Sequence, residues 1–143
     1  MKGFLVDTCA ISEFTKAAPN LGLVSWLARI DSRVTYLSAV TVGELRYGIA
    51  RLPSGGKRER LEDWLTSQVL TEYRDRILAF DADVAQRWGR LRSQARPGGV
   101  LLPAIDAMIA ATAVHYNLAI VSRNEQDFRV MGVDVVNPWS AGS

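Results

Sequence analysis

Gly3-Phe4-Leu5-Val6-Asp7-Thr8 is a short, unbroken apolar run that stops at an acid. Such a run suits a strand buried on both faces of a parallel sheet, with Asp7 standing at its carboxyl end. Working outward, apolar residues at helical spacing predict a helix over 20–30, and the β-branched and aromatic stretch Val34 to Leu37 predicts a second strand. Val42, Leu45, Ile49 and Leu52 then repeat at helical intervals until Pro53. The turn Pro53-Ser54-Gly55-Gly56 leads into an amphipathic helix with Leu61, Trp64, Leu65 and Val69 on one side. Ile77 to Phe80 reads as a third strand, and Asp81 caps a helix carrying Val84, Trp88 and Leu91 that Pro97-Gly98-Gly99 breaks. A very apolar helix follows over 103–116. Leu118 to Ser122 and Val133 to Val136 complete five strands, with a short helix over 124–130 between them. Strands alternating with helices predict an α/β fold with a mostly parallel five-stranded sheet flanked by helices on both faces. In such a sheet, ligands bind beyond the carboxyl ends of the strands.

Composition narrows the function. The 143 residues suit one domain, expected over 1–139, with a loose tail at Ser140-Ala141-Gly142-Ser143. No apolar run approaches the ~20 residues that span a bilayer, and Asp7 comes too early for a signal peptide, so a cytoplasmic protein with no membrane contact is expected. Cys9 is the only cysteine and His115 the only histidine, which excludes an internal disulfide and a structural zinc site. Any metal must be held by oxygen. Seventeen basic against fifteen acidic residues leave a net charge of +2, and most of the basic residues are arginine, a residue suited to bidentate phosphate or carboxylate contacts.

Four acids, Asp7, Glu44, Asp106 and Asp127, fall where strands and helices begin or end. Two like charges ~4 Å apart at an effective dielectric of ~20 cost roughly 4 kcal/mol, so such a cluster either protonates or binds a cation. Each acid also has a plainer role open to it. Asp7 can cap the helix that follows, and Thr41 with Glu44 has the spacing of a capping box unless Ser38 is the cap. Asn124 and Asp127 can cap the short helix after the fourth strand. Asp106 is the sharpest case, because its helix is otherwise almost entirely apolar, and a helix apolar all round is expected to be buried all round. A buried carboxylate without a partner costs far more than the ~0.3–1 kcal/mol a helix dipole returns. Thr8 offers a hydroxyl for a phosphate or water, whereas Cys9 reads as a small apolar filler. His115 reads as a C-terminal or surface group of its helix.

Phe4-Leu5-Val6-Asp7-Thr8, the stretch from Leu37 to Leu45 with Glu44, and Asp106-Ala107-Met108-Ile109-Ala110-Ala111-Thr112-Ala113 occur in an order and spacing that resemble a PIN-domain ribonuclease of the VapC or FitB-like type. That type is the toxin half of a type II toxin–antitoxin pair, and Asn137-Pro138-Trp139 fits its FitB-like branch. The resemblance implies a three-layer PIN-like domain with Asp7, Glu44 and Asp106 as metal-binding acids and either Asn124 or Asp127 in the fourth place. It implies one Mg²⁺ held mainly by Asp7 and Asp106, with Mn²⁺ substituting, and a second ion that settles only with substrate. The implied reaction is hydrolysis of an RNA phosphodiester by metal-activated water, with Arg46, Ser122, Arg123 and Thr8 touching substrate. A homodimer and a cognate antitoxin are implied as partners, with the four tryptophans and the helical arm over 58–69 open to either interface or core.

The rival from another class is a catalytically silent PIN-fold module that binds RNA or a regulator. Phosphatases of the haloacid dehalogenase type need a second aspartate where this chain has Cys9. No Gly-x-Gly-x-x-Gly or Walker-type loop follows the first strand, which disfavours dinucleotide and nucleoside triphosphate sites.

Overall fold

The computed structural model describes residues 3–94 and 102–141. Five strands, β1 (Phe4–Val6), β2 (Thr35–Ser38), β3 (Ile77–Leu78), β4 (Ala119–Val121) and β5 (Val135–Val136), form a sheet of order β3-β2-β1-β4-β5 in which every pairing is parallel. β1 lies in the middle, with Leu5 opposite Tyr36 on one side and Ile120 on the other. The chain first builds outward through β2 and β3 and then crosses to β4, so the order reverses between β1 and β4. A crevice opens at such a reversal, beyond the carboxyl ends of the strands. Gly3 admits the chain to the sheet, because a Cβ there would run into the Val34 carbonyl oxygen.

Alternation along the strands splits the core into two layers. Leu5 and Ile120 face Ala107, Ile109, Ala110 and Ala113 of α7 (Ala104–Tyr116), with α6 (Ala82–Ser93) packed alongside. Val6 and Val121 face the opposite layer, built from α1 (Thr8–Glu13), α2 (Leu21–Arg29) and α3 (Ala39–Ala50). Burying each Leu, Ile or Val side chain stabilises the fold by about 1.5–3 kcal/mol, which is what fixes the helices on the two faces. All four tryptophans pack against these cores, Trp88 on one face and Trp26, Trp64 and Trp139 on the other, and Phe4 meets Trp26 edge to face at 4.9 Å.

Caps set several boundaries. Ser38 Oγ accepts from Val40 N at 3.0 Å, so Ser38 starts α3 and Glu44 falls in its second turn. Asn20 and Asp81 cap α2 and α6 through their side chains, the second as expected from the sequence. Asn117 ends α7 in the left-handed conformation (φ 57°), and Leu118 N donates back to Ala113 O at 2.8 Å before β4 begins.

Other expectations are corrected. The arm after Pro53 is α4 (Gly56–Asp63), a π-helical stretch at 64–69 and α5 (Leu70–Glu72), where the Thr66 hydroxyl donates to the Glu62 carbonyl at 2.8 Å. Leu65 and Val69 still turn inward. The helix α7 is not buried all round, since Ile105 is 43% and Val114 46% exposed. Ser140 and Ala141, expected in a loose tail, belong to α9 (Pro138–Ala141), where the Ser140 hydroxyl donates to Asn137 O at 3.0 Å. The break expected at Pro97-Gly98-Gly99 lies outside the described residues. Among the described residues no helix is long and apolar enough to cross a membrane.

Candidate active site

The crevice is built from both sides of the sheet reversal. Asp7 leaves β1 with its backbone N–H still bonded to Val121 O at 3.0 Å, which holds its side chain beside the end of β4. There Ser122, fully buried, donates its hydroxyl to Asp7 Oδ2 at 2.7 Å and accepts from Asn124 N at 2.9 Å. One hydroxyl thus ties the loop after β1 to the loop after β4. Asp7 occupies the cap position of α1 but makes no side-chain capping bond. At 3% exposure its carboxyl is pushed up by burial, against the lowering effect of the Ser122 hydroxyl, the Thr8 backbone N–H and the Cys9 thiol.

Cys9, read from the sequence as filler, lies inside the site. Its sulfur is 3.5 Å from Asp7 Oδ2 and 3.4 Å from Ser122 Oγ, and burial followed by the Asp7 charge pushes the thiol up. A nucleophilic thiolate is therefore disfavoured. Only its position two residues after Asp7 hinted at this neighbourhood.

Helices supply the other wall, where α3 packs on both α1 and α7. Glu44 of α3 points to α1, with Oε1 accepting from the Thr8 hydroxyl at 2.5 Å. Thr8 Oγ1 also lies 3.2 Å from Thr41 Oγ1, and Thr41 has no exposed surface. The sequence reading weighed Thr41 only as a capping residue and missed this contact. Its signal was helical phase, since Thr41 precedes the buried Leu45 and Ile49 by one and two turns.

Asp106, in the first turn of α7, registers the convergence of the four acids. It is half-buried, and its carboxyl is pushed up to about 6, first by burial and then by the charges of Asp7, Asp127 and Glu44 in that order. Among the described residues no side chain donates to it. Asp127 lies in α8 (Glu125–Val130), and Asn124 precedes that helix without making a side-chain capping bond. The amide of Asn124 is thus uncommitted, contrary to the capping alternative.

The remaining candidates are more scattered. Arg123 is exposed, with its guanidinium 5.8 Å from the Trp139 ring centroid. It lines a polar cleft of about 420 Å³ together with Asn124, Gln126, Asp127 and Arg129. Arg46 is exposed two residues beyond Glu44 and pairs with no described residue. His115 stands apart, accepting from Arg87 Nε at 3.0 Å beside the amino end of β4.

Apart from the Cys9 thiol, the donor set of carboxylates, an amide and hydroxyls is oxygen, which suits a hard divalent cation. No three of the described His, Cys, Asp and Glu side chains form a ready-made coordination shell. A cation held by one or two carboxylates, with waters completing its shell, is the mode this arrangement fits. Burial raises the Asp106 carboxyl first, and the neighbouring charges of Asp7, Asp127 and Glu44 add a negative field that such a cation would relieve.

Three comparisons bear on this geometry. The chain is 36% identical over 135 residues to the VapC ribonuclease Y4jK of Sinorhizobium fredii, covering 94% of this chain and 96% of that one. It is 40% identical over 135 residues to the toxin FitB of Neisseria gonorrhoeae, covering 94% and 97%. A solved structure of FitAB bound to a DNA fragment contains a chain that superposes with a TM-score of 0.88 at 38% identity, over 95% of each chain. Residues 4–133 match the PIN domain model, and with the acids at the sheet reversal this chain belongs to the PIN domain family.

Proposed function

We propose that this protein is a divalent-metal-dependent endoribonuclease, the toxin of a type II toxin–antitoxin pair, which hydrolyses RNA phosphodiesters. The observation that carries the reading is Asp7, held by Ser122 at the sheet reversal, together with a half-buried Asp106 raised first by burial and then by the charges of Asp7, Asp127 and Glu44. The relatives named as a VapC ribonuclease and a toxin supply the reaction class.

Asp7 and Asp106 are the residues to hold Mg²⁺, or Mn²⁺ in its place, with Asn124 or Asp127 completing the oxygen set. When bound, the cation supplies positive charge against the attacked phosphate and lowers the pKa of a water. Ser122 keeps the Asp7 carboxylate aimed at the crevice. Glu44, anchored at one oxygen by Thr8, orients the attacking water with the other. The neutral Asn124 leaves one charge fewer than an aspartate would, which weakens a second ion more than the first. Arg123, at the mouth of the polar cleft, and Arg46 on α3 are placed to contact backbone phosphates. In-line attack needs no histidine here.

The partner is read in the same way. The solved FitAB complex supports a cognate antitoxin for this chain. An apolar groove of about 540 Å³, lined by Val40, Gly43, Tyr47, Ile105 and Met108, adjoins Glu44, and an apolar antitoxin segment seated there would cover the acids. Leu21, 79% exposed on α2, and the neighbouring Val24 offer surface for a homodimer.

The test is incubation of the purified protein with a cellular RNA pool, with and without Mg²⁺ or Mn²⁺, mapping cut ends against an Asp7→Asn control. Cuts that need the ion and vanish in the control are expected. Intact RNA with both ions, together with no ion-dependent rise in melting temperature, would establish the silent binding module instead.

A further inference from the structure

Glu44 stands on a ridge of α3 between two grooves. The groove on the α7 side, around Tyr47 and Met108, has no basic residue in its lining. On the other side a groove of about 300 Å³ runs from Thr8 and Glu44 outward between α1, α3 and α4. Its floor is apolar, with Ile49 buried and Leu61 and Trp64 half-buried, and Trp64 begins the π-helical stretch at 64–69, a winding found mostly at functional sites. Its rim is polar. The Thr15 hydroxyl donates to Ser12 O at 2.7 Å, so it has only lone pairs left to offer a ligand. Lys57, exposed on the same rim, pairs with no described residue, whereas the neighbouring Arg58 is committed to Glu62 at 2.7 Å and to the Leu52 carbonyl at 3.3 Å. An apolar face, an acceptor and a free cation thus open together onto an acid of the crevice.

That combination matches a nucleotide, since unpaired bases are bound by aromatic faces and by hydrogen bonds at their edges, and phosphates by lysine. We propose that this groove is a base subsite, which holds one unstacked nucleobase of the RNA strand beside the phosphodiester at the acids, with its face on Trp64 and Leu61, its edge at the Thr15 oxygen and the adjoining phosphate at Lys57. The inference rests on the nuclease reading above and names what that nuclease cuts, a strand unpaired at this nucleotide. A paired base would first have to leave its duplex, at the cost of unpairing and unstacking. Gly48 lines the groove from within α3, and a Cβ built there would meet nothing within 4 Å. The fold itself therefore does not require a glycine here. The missing side chain leaves room for the base, and a larger one can fill that room without disturbing the core.

The test crosses Gly48→Leu, which fills the groove, with a synthetic RNA strand carrying the mapped cut site and the same strand with an abasic ribose at either nucleotide flanking the cut. Wild type cuts one of the two abasic strands about tenfold more slowly in kcat/KM than the intact strand, the scale of losing one stacked base. Gly48→Leu cuts the intact strand about tenfold more slowly than wild type, yet cuts that abasic strand within about twofold of the intact one, because both changes remove the same contact. A readout independent of turnover is fluorescence anisotropy of the labelled strand on the Asp7→Asn background, where Gly48→Leu weakens binding about tenfold and Lys57→Ala about threefold, the latter with a shallower salt dependence. Gly48→Leu should melt no lower than wild type, since a glycine inside a helix is replaced by a better helix former. Abasic strands cut as fast as the intact strand by wild type overturn the proposal without reference to any variant. So do fully additive losses from Gly48→Leu and the abasic ribose. Unchanged cleavage by Gly48→Leu together with loss of self-association in light scattering would assign the groove to a second copy of this chain, which also overturns it. If wild type neither cuts nor binds the strand, the nuclease reading fails and this inference with it, whereas cleavage that ignores both changes sinks the inference alone.

Discussion

The two walls of the crevice are prepared differently. On the strand-end wall, Asp7 is locked before anything binds, with Ser122 at 2.7 Å and Cys9 at 3.5 Å on the same carboxylate oxygen. On the helical wall, Asp106 has no donor among the described residues and is pushed up to about 6. One wall therefore holds its acid in place through hydrogen bonds, while the other holds an acid whose charge is unrelieved. A site of this kind is preorganised on one side and made responsive to a cation on the other, since a positive ion lowers the free energy of the ionised Asp106 more than that of a carboxylate already satisfied.

The largest expected effect comes from removing the unrelieved charge. Asp106→Asn should lower metal-dependent RNA cleavage by about a hundredfold or more, the scale of losing a charged group at the reacting centre. Because it also removes a repulsive carboxylate, the variant should unfold at a urea concentration no lower than wild type at pH 7. A marked loss of stability would show that Asp106 is satisfied by a partner in the fold.

On the locked wall the balance reverses. Ser122→Ala leaves the buried Asp7 carboxylate without its closest donor and Asn124 N without its acceptor, and should cost about 1–3 kcal/mol in urea unfolding. Equal tolerance of Ser122→Ala and Asp106→Asn in stability would erase the distinction between the walls.

The pH dependence follows from the sign of the Asp106 shift. Its folded-state value of about 6 lies above the ordinary 3.8, so the folded state binds the proton more tightly than the unfolded chain. Stability from this group is present below about pH 4 and is lost as pH rises toward and through 6. The rise corresponds to at most about 3 kcal/mol, reduced by solvent because the residue is only half-buried. The metal-free protein should thus lose melting temperature between pH 4 and 6.5 by more than Asp106→Asn does. Mg²⁺ or Mn²⁺ should restore it at pH 7 in the wild type alone.

The smallest effect concerns the fourth ligand place. Asn124→Asp adds a charge to an uncommitted side chain, and should tighten Mn²⁺ binding by about three- to tenfold in calorimetry while raising Asp106 further in the metal-free protein. Unchanged affinity would assign the fourth place to Asp127.

Much of this was legible beforehand where one residue type answers one local requirement. The run at Phe4–Val6 reads as a strand buried on both faces, and the caps at Ser38 and Asp81 mark helix starts because their side chains serve nearby backbone N–H groups. The apolar run of α7 was legible as a helix but not in its burial. Ile105 and Val114 stay exposed because the elements packed on α7 cover only part of its circumference. Likewise Asn124 had the composition of a cap, yet its side chain is not used as one.

The sequence by itself determined the alternation of strands and helices, the four acids at element ends and the lack of enough cysteine and histidine for a structural zinc site, since these depend on residue type and local spacing. Only the tertiary structure decided that β4 returns beside β1, bringing Ser122 to Asp7 across 115 positions, and that α1 meets α3 so that Thr8 reaches Thr41 and Glu44. Such contacts arise from the order of strands and the packing of helices on the sheet, and a single side chain carries no local signature of the partner that the fold will place within 3 Å of it.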